Sequence, residues 1–539
     1  MDKVDYTNWS KEELVKEIKK LKKRKKFGLV WDEEKTKEEF NKNSIDKIPI
    51  LKEIRNKKIQ TDKNSPTNII IEGDNFHALS VLNYTHAKRV ATIYIDPPYN
   101  TGAEFRYNDK IINPEDGYRH SKWLSFMRKR LLLAKKLLKE SGIIFISIND
   151  IEQAHLKILC SEIFGENMFI GQFVWKSRQQ KDNRNVTGAS IDHEYVLCYG
   201  KRVRGDQRKR EAYSNPDNDP RGDWSSENMV GILPKELRPN CHYDLINPKT
   251  GINYGKPKLG WRYDKNTMSI LMEEDKIIFP NSSTGRPRRK KFFSELKQDF
   301  TGFSSIIGNG IYTKNGTSEI DKIFGSRVMD FPKPSELIKQ LIIQGSNNDD
   351  VILDFFAGSG TTGHAVLELN KEDKGNRKFI LCTNNENNIC IDVCYPRIQK
   401  IIKGYTSTKN EKIKGLGGNL KYFKTDFVDA EPTDKNKKKL VDQCTEMLCL
   451  REDCFDELKQ TKNYSIFKNH EEKHLGIIYD DEGIEPLKKQ IKSTGKKFNV
   501  YVFSLDDSAR EEEFEDVIDM VDLKPIPEVI LNVYRRIFR

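Results

Sequence analysis

Within four consecutive residues, Asp96-Pro97-Pro98-Tyr99, the chain sets out a carboxylate, two prolines and a phenol. Neither proline has an N–H, so the segment is stiff and its carbonyls are free to accept. Such a surface offers acceptors beside an aromatic face and suits an amino group on a planar ring. The exocyclic nitrogen of adenine is a poor nucleophile because its lone pair is delocalised into the ring. Acceptors that hold its two hydrogens favour a pyramidal nitrogen whose lone pair points at an electrophile, with Tyr99 stacked on the base. The same letters also read as a plain turn capping a strand.

A second run, Gly358-Ser359-Gly360-Thr361-Thr362-Gly363, fits GxGxxG between an apolar strand and a helix. Glycines there allow a tight turn and close backbone approach, and the helix start supplies free amides and partial positive charge. Glu386 follows the next strand, where an acid commonly grips ribose hydroxyls. The pattern points to a cofactor with a nucleotide part, against a merely structural turn. It is not a Walker phosphate loop, whose Lys-Ser/Thr pair is replaced here by Gly363-His364. A nicotinamide or flavin enzyme would use the turn but leave Asp96 to Tyr99 without a role. A catalytically dead DNA-binding scaffold would not need both motifs intact.

These runs need elements to hold them. Asn68-Ile69-Ile70-Ile71 predicts a buried strand ended by Glu72-Gly73-Asp74, and His77 to Leu82 a helix. Ala91 to Ile95 predicts the strand that ends on Asp96. A long helix carries Trp123, Phe126, Met127, Arg130, Leu131, Ala134, Leu137 and Leu138 at helical spacing and is expected to stop at Ser141-Gly142, before a strand over Ile143 to Ile148. Val351 to Phe356 leads into the glycine turn, His364 to Leu369 into a helix, and Phe379-Ile380-Leu381 back as a strand. This alternation predicts a parallel sheet covered on both faces. Ser10 and Glu13 form a capping box, which predicts a helix from Lys11 to about Lys26 with Leu14, Ile18 and Leu21 on one face. A connector over 27–65 should follow.

A chain of 539 residues has room for about three domains. Its 36% hydrophobic content, with 27 Phe and 20 Tyr, excludes wholesale disorder. No apolar run nears the ~18 residues of a membrane span. The start, MDKVDYTNWSKEEL, has no apolar signal core, so a cytoplasmic protein is expected. Nine Cys without a CxxC pair read as reduced thiols, and none of the nine His falls in a ligand cluster, so no metal is expected. The net charge is +12, unevenly placed: residues 171–300 carry 25 basic and 17 acidic side chains, whereas 421–539 carry 21 and 26. A basic, aromatic, loop-rich middle should meet a polyanion.

The pair DPPY and DFFAGSGTT closely resembles the amino-group DNA methyltransferases that use S-adenosyl-L-methionine. The tetrapeptide precedes the glycine turn, with a long insertion between, which resembles the permuted β group. IEGDNFHALSVL, YRHSKWLSFMRKRL, SGIIFISIND, DHEYVLCYGK, FPKPSELIKQLI, KKFGLVW, AREEEFEDV and LKPIPEVILNVYRRIF resemble segments of the modification subunits of type III restriction systems. The resemblance implies a permuted Rossmann-like methyltransferase sheet with an inserted target-recognition domain and a small C-terminal α/β module. Expected boundaries are 1–66 for the N-terminal helix and connector, 67–176 and 326–419 for the two halves of the core, 177–325 for recognition and 420–539 for the module.

It further implies that Asp96, Pro97, Pro98 and Tyr99 take the target base, flipped from duplex DNA. Asp354, Phe356, Ala357, Gly358, Ser359, Gly360 and Thr361 would line the cofactor, with Glu386 on its ribose, Asp74 near its adenine, and Lys333, Pro334 and Ser335 at its border. The methyl would pass directly to nitrogen, in keeping with the absence of a Pro-Cys nucleophile signature. Asp at position 96 favours adenine N6 as target. Arg202, Arg204, Arg288, Arg289 and Lys290 are expected to hold phosphates. Implied partners are a second copy of the chain and a helicase-nuclease restriction subunit. A solitary methyltransferase acting on adenine or on N4 of cytosine is the alternative.

Overall fold

The computed structural model describes residues 9–22, 47–62, 65–101, 118–182, 187–207, 210–296, 300–431, 433–505 and 508–538. Most of the expected connector, the KKFGLVW segment, and Arg208 and Lys209 lie outside them, as do the side chains of Ile18 and Leu21. The chain divides into two units, Met1–Val203 with Ser304–Arg539, and Arg204–Phe303.

The larger unit is built on a ten-stranded sheet. In chain order its strands are β1 (Lys47–Glu53), β2 (Thr67–Glu72), β3 (Val90–Ile95), β4 (Leu138–Ile148), β5 (Phe169–Lys176), β6 (His193–Tyr199), β7 (Ile306–Ile307), β8 (Val351–Asp354), β9 (Lys378–Thr383) and β10 (Asn419–Asp429). In space they run β1-β10-β2-β9-β8-β3-β4-β6-β5-β7. From β10 to β4 every pairing is parallel, and β6 runs antiparallel between β4 and β5.

All six residues of β3 are buried, as are Ile69, Ile70 and Ile71 of β2. A strand buried on both sides needs cover on both. One row of helices (Asn75–Thr85, Arg119–Leu137, Gln153–Phe164) shares a core with Ile93, Ile95 and Ile380. On the opposite face, Gly345 of helix Ser335–Gly345 meets Thr92, and Gly363 of helix Thr361–Asp373 meets Phe379 and Leu381. β8 and β3 are neighbours whose onward connections diverge, β8 toward β9 and β3 toward β4. Such a switch point leaves a crevice outside the carboxyl ends of the two strands. Both chemistry-bearing runs start there.

Several expected boundaries move. The long helix is Arg119–Leu137, and β4 begins at Leu138, because the edge pairing Val90↔Leu138 takes over with a register shift. In place of the span 177–325 expected for recognition, the compact inserted unit is Arg204–Phe303, since β6 is hydrogen-bonded inside the core sheet and β7 pairs with β5. The connector over 27–65 gives way at Lys47 to β1, which pairs with β10. The C-terminal module is not separate. β10 belongs to the central sheet, and Leu475, Ile477, Tyr501, Ile526 and Ile530 from the following five-stranded sheet and last helix share its core. The Tyr534 hydroxyl closes this contact on the Pro49 carbonyl at 2.5 Å. The amino-terminal helix, Lys11–Lys22, carries the expected box: the Ser10 amide donates to Glu13 at 2.8 Å and the Glu13 amide to Ser10 Oγ at 3.2 Å.

Among its described residues the smaller unit sets short strands, Trp224–Asn228, Arg288–Phe292 and Ile277–Ile278, and the α-helix Lys265–Glu273 around Met229, Leu245, Trp261, Met268, Leu271 and Ile277. Its missing periodicity reflects this loop-rich build. All nine Cys are buried free thiols. Among the described residues no helix is long and apolar enough to cross a membrane.

Candidate active site

Asp96 leaves the end of β3 at the crevice. Of the two proline carbonyls expected to be free, that of Pro98 is taken by the Trp123 indole at 2.7 Å, which ties the tetrapeptide to helix Arg119–Leu137. The Tyr99 hydroxyl lies 2.8 Å from Asp96 Oδ1 and 3.0 Å from Glu194 Oε2. Its one hydrogen serves one acid at a time. Burial, then the charges of Asp96 and Glu194, hold the phenol well above its ordinary pKa, so it stays a donor.

Lys333 was expected at the border of a cofactor. Its Nζ instead sits 2.8 Å from each oxygen of Asp96 and 3.3 Å from Glu194. Burial pulls its pKa down, but Asp96 and Glu194 outweigh it and the net shift is upward. The ammonium therefore remains charged. Glu194 had no assigned role. A lone acid at the head of the apolar strand β6 is the signal that marks it.

β8 ends on Asp354, which accepts from the Phe356 amide at 3.0 Å and from the Thr362 hydroxyl at 2.5 Å. Burial, against those two hydrogen bonds and with the nearby charge of Asp96, pushes its carboxyl up to about 7. Gly358 and Gly360 adopt φ of 51° and 79°, the left-handed region where a side chain is strained. The Ala357 amide donates to Cys382 at 3.2 Å, fixing the turn on β9. A Cβ on Gly363 would lie 2.8 Å from Ile398, so that glycine serves helix packing.

The hydroxyls of Ser359 and Thr361, expected on the cofactor, are turned toward the buried Arg397 guanidinium at 3.0 and 2.8 Å. A fully buried cation needs acceptors, and these two are the nearest on the turn. The Ser335 amide is likewise engaged, with both oxygens of Glu319 at 3.1 Å, while Pro334 caps the helix. Asp74 caps helix Asn75–Thr85 through the Phe76 amide at 2.8 Å and pairs with Arg130 at 3.2 Å. Glu386 is half-buried in the turn Glu386–Asn388 after β9. Beside it, the buried Thr383 Oγ1 and Asn384 Oδ1 have no hydrogen-bond partner. Unpaired polar atoms next to left-handed glycines fit a ligand with hydroxyl and amino groups.

Sequence spacing showed no metal-ligand set, yet folding brings His120, Glu152 and His155 together with ligand atoms within 4.8 Å of one another, a trio that could hold an ion. His120 Nδ1 and His155 Nδ1 lie 2.6 and 3.0 Å from separate oxygens of the fully buried Glu152. Asn100, directly after the tetrapeptide, donates to the same carboxylate at 2.5 Å. The group clamps the tetrapeptide's exit to two helices.

Arg288, Arg289 and Lys290, in the smaller unit, depart most from expectation. Lys290 is buried, ion-paired with Asp217 and, at 3.1 Å, with Asp219. Arg289 bonds the Tyr263 hydroxyl at 2.9 Å and approaches Glu227 at 3.7 Å and Glu295 at 3.8 Å. Lys290 points into the unit, while Arg288, on the same face but at the strand's first position, stays exposed, its guanidinium on Ser226 at 2.5 Å. Arg202 is exposed in the larger unit, and Arg204 lies over the Phe300 ring at 5.9 Å in the smaller.

A family model described as DNA methylase (N6_N4_Mtase) matches residues 90–393. The chain is 34% identical over 399 residues to the type II methyltransferase M.KpnI of Klebsiella pneumoniae, covering 68% of this chain and 92% of that one. It is 35% identical over 365 residues to the StyLTI Mod subunit, a type III restriction-modification enzyme of Salmonella typhimurium strain LT2, covering 62% of this chain. That match spans only 55% of the Mod subunit's length. A solved structure, PvuII DNA methyltransferase (cytosine-N4-specific), is similar at 13% identity and a TM-score of 0.30, covering 62% of this chain and 92% of that one, too distant to carry an argument.

Proposed function

The chain belongs to the DNA methylase family, and on that footing we propose that it transfers a methyl group from S-adenosyl-L-methionine to the exocyclic N6 of adenine in duplex DNA. The observation that carries this reading is the placing of Asp96 and the Asp354 to Gly360 turn side by side at one switch point. The cofactor supplies an electrophilic methyl on a sulfonium. Asp354, Phe356, Gly358, Asn384 and Glu386 would hold it, the first three at the turn and the last two at the ribose end. Ser359 and Thr361 brace the turn through Arg397.

Asp96 accepts from the target's amino group and keeps the nitrogen lone pair directed out of the ring plane. Once the N–C bond forms and the C–S pair returns to sulfur, the surplus proton passes to Asp96 or to water. Positioning and electrostatics supply most of the rate. A base inside the stack cannot reach Asp96, so it must flip out, at a cost of a few kcal/mol that pocket contacts offset.

The likeness to Mod subunits supports a further assignment, to the modification and recognition subunit of a type III system. Such a subunit would work as a homodimer in the cytoplasm beside a helicase-nuclease partner. The likeness to type II methyltransferases is the observation that keeps a solitary enzyme as the second reading.

Labelled S-adenosyl-L-methionine and DNA, followed by mass spectrometry of the nucleosides, test the chemistry. N6-methyladenine is the expected product. N4-methylcytosine would move the target, and no incorporation would overturn the reading.

A further inference from the structure

The Lys333 ammonium occupies the place that the proposed chemistry needs for the target. With one hydrogen bond to each oxygen of Asp96 at 2.8 Å, and Tyr99 on Oδ1 as well, little of that carboxylate's accepting capacity is left. The lysine side chain is 9% exposed, so water cannot replace its contacts if it simply withdraws. A buried cation stripped of its counter-charge is costly. Glu194 removes that obstacle. Its Oε2 is 3.3 Å from Nζ and 3.0 Å from the Tyr99 hydroxyl, so a short shift keeps the ammonium beside a carboxylate throughout.

We propose that Lys333 is a stand-in for the target amino group, held on Asp96 in the DNA-free chain and handed to Glu194 when the base enters. The idea rests on the methyl-transfer reading and goes beyond it by making Lys333 and Glu194 positioning residues that set access to Asp96. No covalent bond changes in the exchange: the amino group's hydrogens take the Asp96 oxygens, Lys333 keeps its protons, and Tyr99 can turn its one hydrogen to either acid. The exchange also gives direction. A methylated nitrogen has one hydrogen fewer to offer Asp96, so the ammonium regains its place and the product base is expelled.

The test uses the full chain and a duplex carrying 2-aminopurine as the neighbour of the methylated adenine, which is located beforehand by sequencing methylated DNA and keeps its own amino group. Glu194→Gln removes the receiving charge, so Lys333 stays on Asp96. The flipped fraction, read as fluorescence, should fall by about tenfold, raising KM for DNA more than it lowers kcat. Glu194→Asp, which keeps the charge, should recover part of the loss. In Lys333→Met/Glu194→Gln the blocking ammonium is gone, so flipping should rise again above the Glu194→Gln level, with cofactor affinity unchanged in all three. Flipping at the parental level in Glu194→Gln, or an equal loss in the double variant, would overturn the exchange. A parent chain that methylates DNA while these variants behave so refutes this inference alone. A parent that transfers no methyl refutes the reading beneath it.

Discussion

At the switch point of the central sheet and on the strand Arg288–Phe292 of the inserted unit, the chain carries runs of equally suggestive residues, and they meet opposite fates. Asp96 to Tyr99 and Asp354 to Gly360 come out at strand ends, where the backbone has nowhere else to go. Arg288, Arg289 and Lys290, read as a phosphate-binding run, are split between the exposed start of the strand and its buried middle, and Lys290 ends inside its own unit on Asp217 and Asp219. Motifs defined by backbone turns keep their place at the strand ends on folding. Runs defined by charge alone are divided, because a charge is as easily matched within the chain as by a ligand.

Breaking the first region should give the largest effect. Asp96→Ala should lower methyl transfer by roughly 10²–10³-fold or more, with cofactor affinity within a few-fold of the parent, because the carboxylate acts on the target. Activity within tenfold of the parent would remove Asp96 from the chemistry. Gly358→Val, at a φ of 51°, should abolish measurable cofactor binding in calorimetry while circular dichroism shows the fold retained. Normal affinity would make the turn purely structural.

The second region separates by residue. Lys290→Met removes the cation from Asp217 and leaves Asp219 to Arg221 alone, and should cost about 1 kcal/mol of stability in denaturant titration. Under the phosphate-contact reading it would instead weaken DNA binding at unchanged stability. Arg288→Ala should leave stability alone and reduce the slope of log affinity against log salt by roughly 0.9, if this exposed guanidinium reaches a phosphate. An unchanged slope would remove Arg288 from the DNA contacts.

A last expected effect is the pH dependence set by Asp354. Its folded pKa of about 7 lies above the ordinary 3.8, so the folded form binds the proton more tightly. The stability it contributes is present below about pH 4 and lost as pH rises through about 7. Asp354→Asn should flatten the fall of Tm between those limits. An identical pH profile in the variant would mean that the carboxylate ionises freely.

The helical row Asn75–Thr85, Arg119–Leu137 and the strands β2, β3, β8 and β9 were all legible, because apolar runs buried on both faces leave few alternatives. Less visible were β1 and β10, neighbours whose pairing is set by residues some 380 positions away, as Lys47↔Asp429 shows. Glu194 stood inside a quoted segment without a function, since only the sheet brings it to Asp96. The His120, Glu152 and His155 group was hidden for the same reason: two elements and a long separation must fold before the three meet.

By itself the sequence determined the turns, the order of the two motifs and the alternation that builds a doubly covered sheet, because proline stiffness, glycine freedom and apolar periodicity act locally. Tertiary structure decided which side chains face the crevice and which charges are spent on neighbours. Lys333 on Asp96, Ser359 and Thr361 on Arg397, and Lys290 on Asp217 and Asp219 are pairings between distant residues. Each follows from a burial cost that exists only once the chain has closed around the charge.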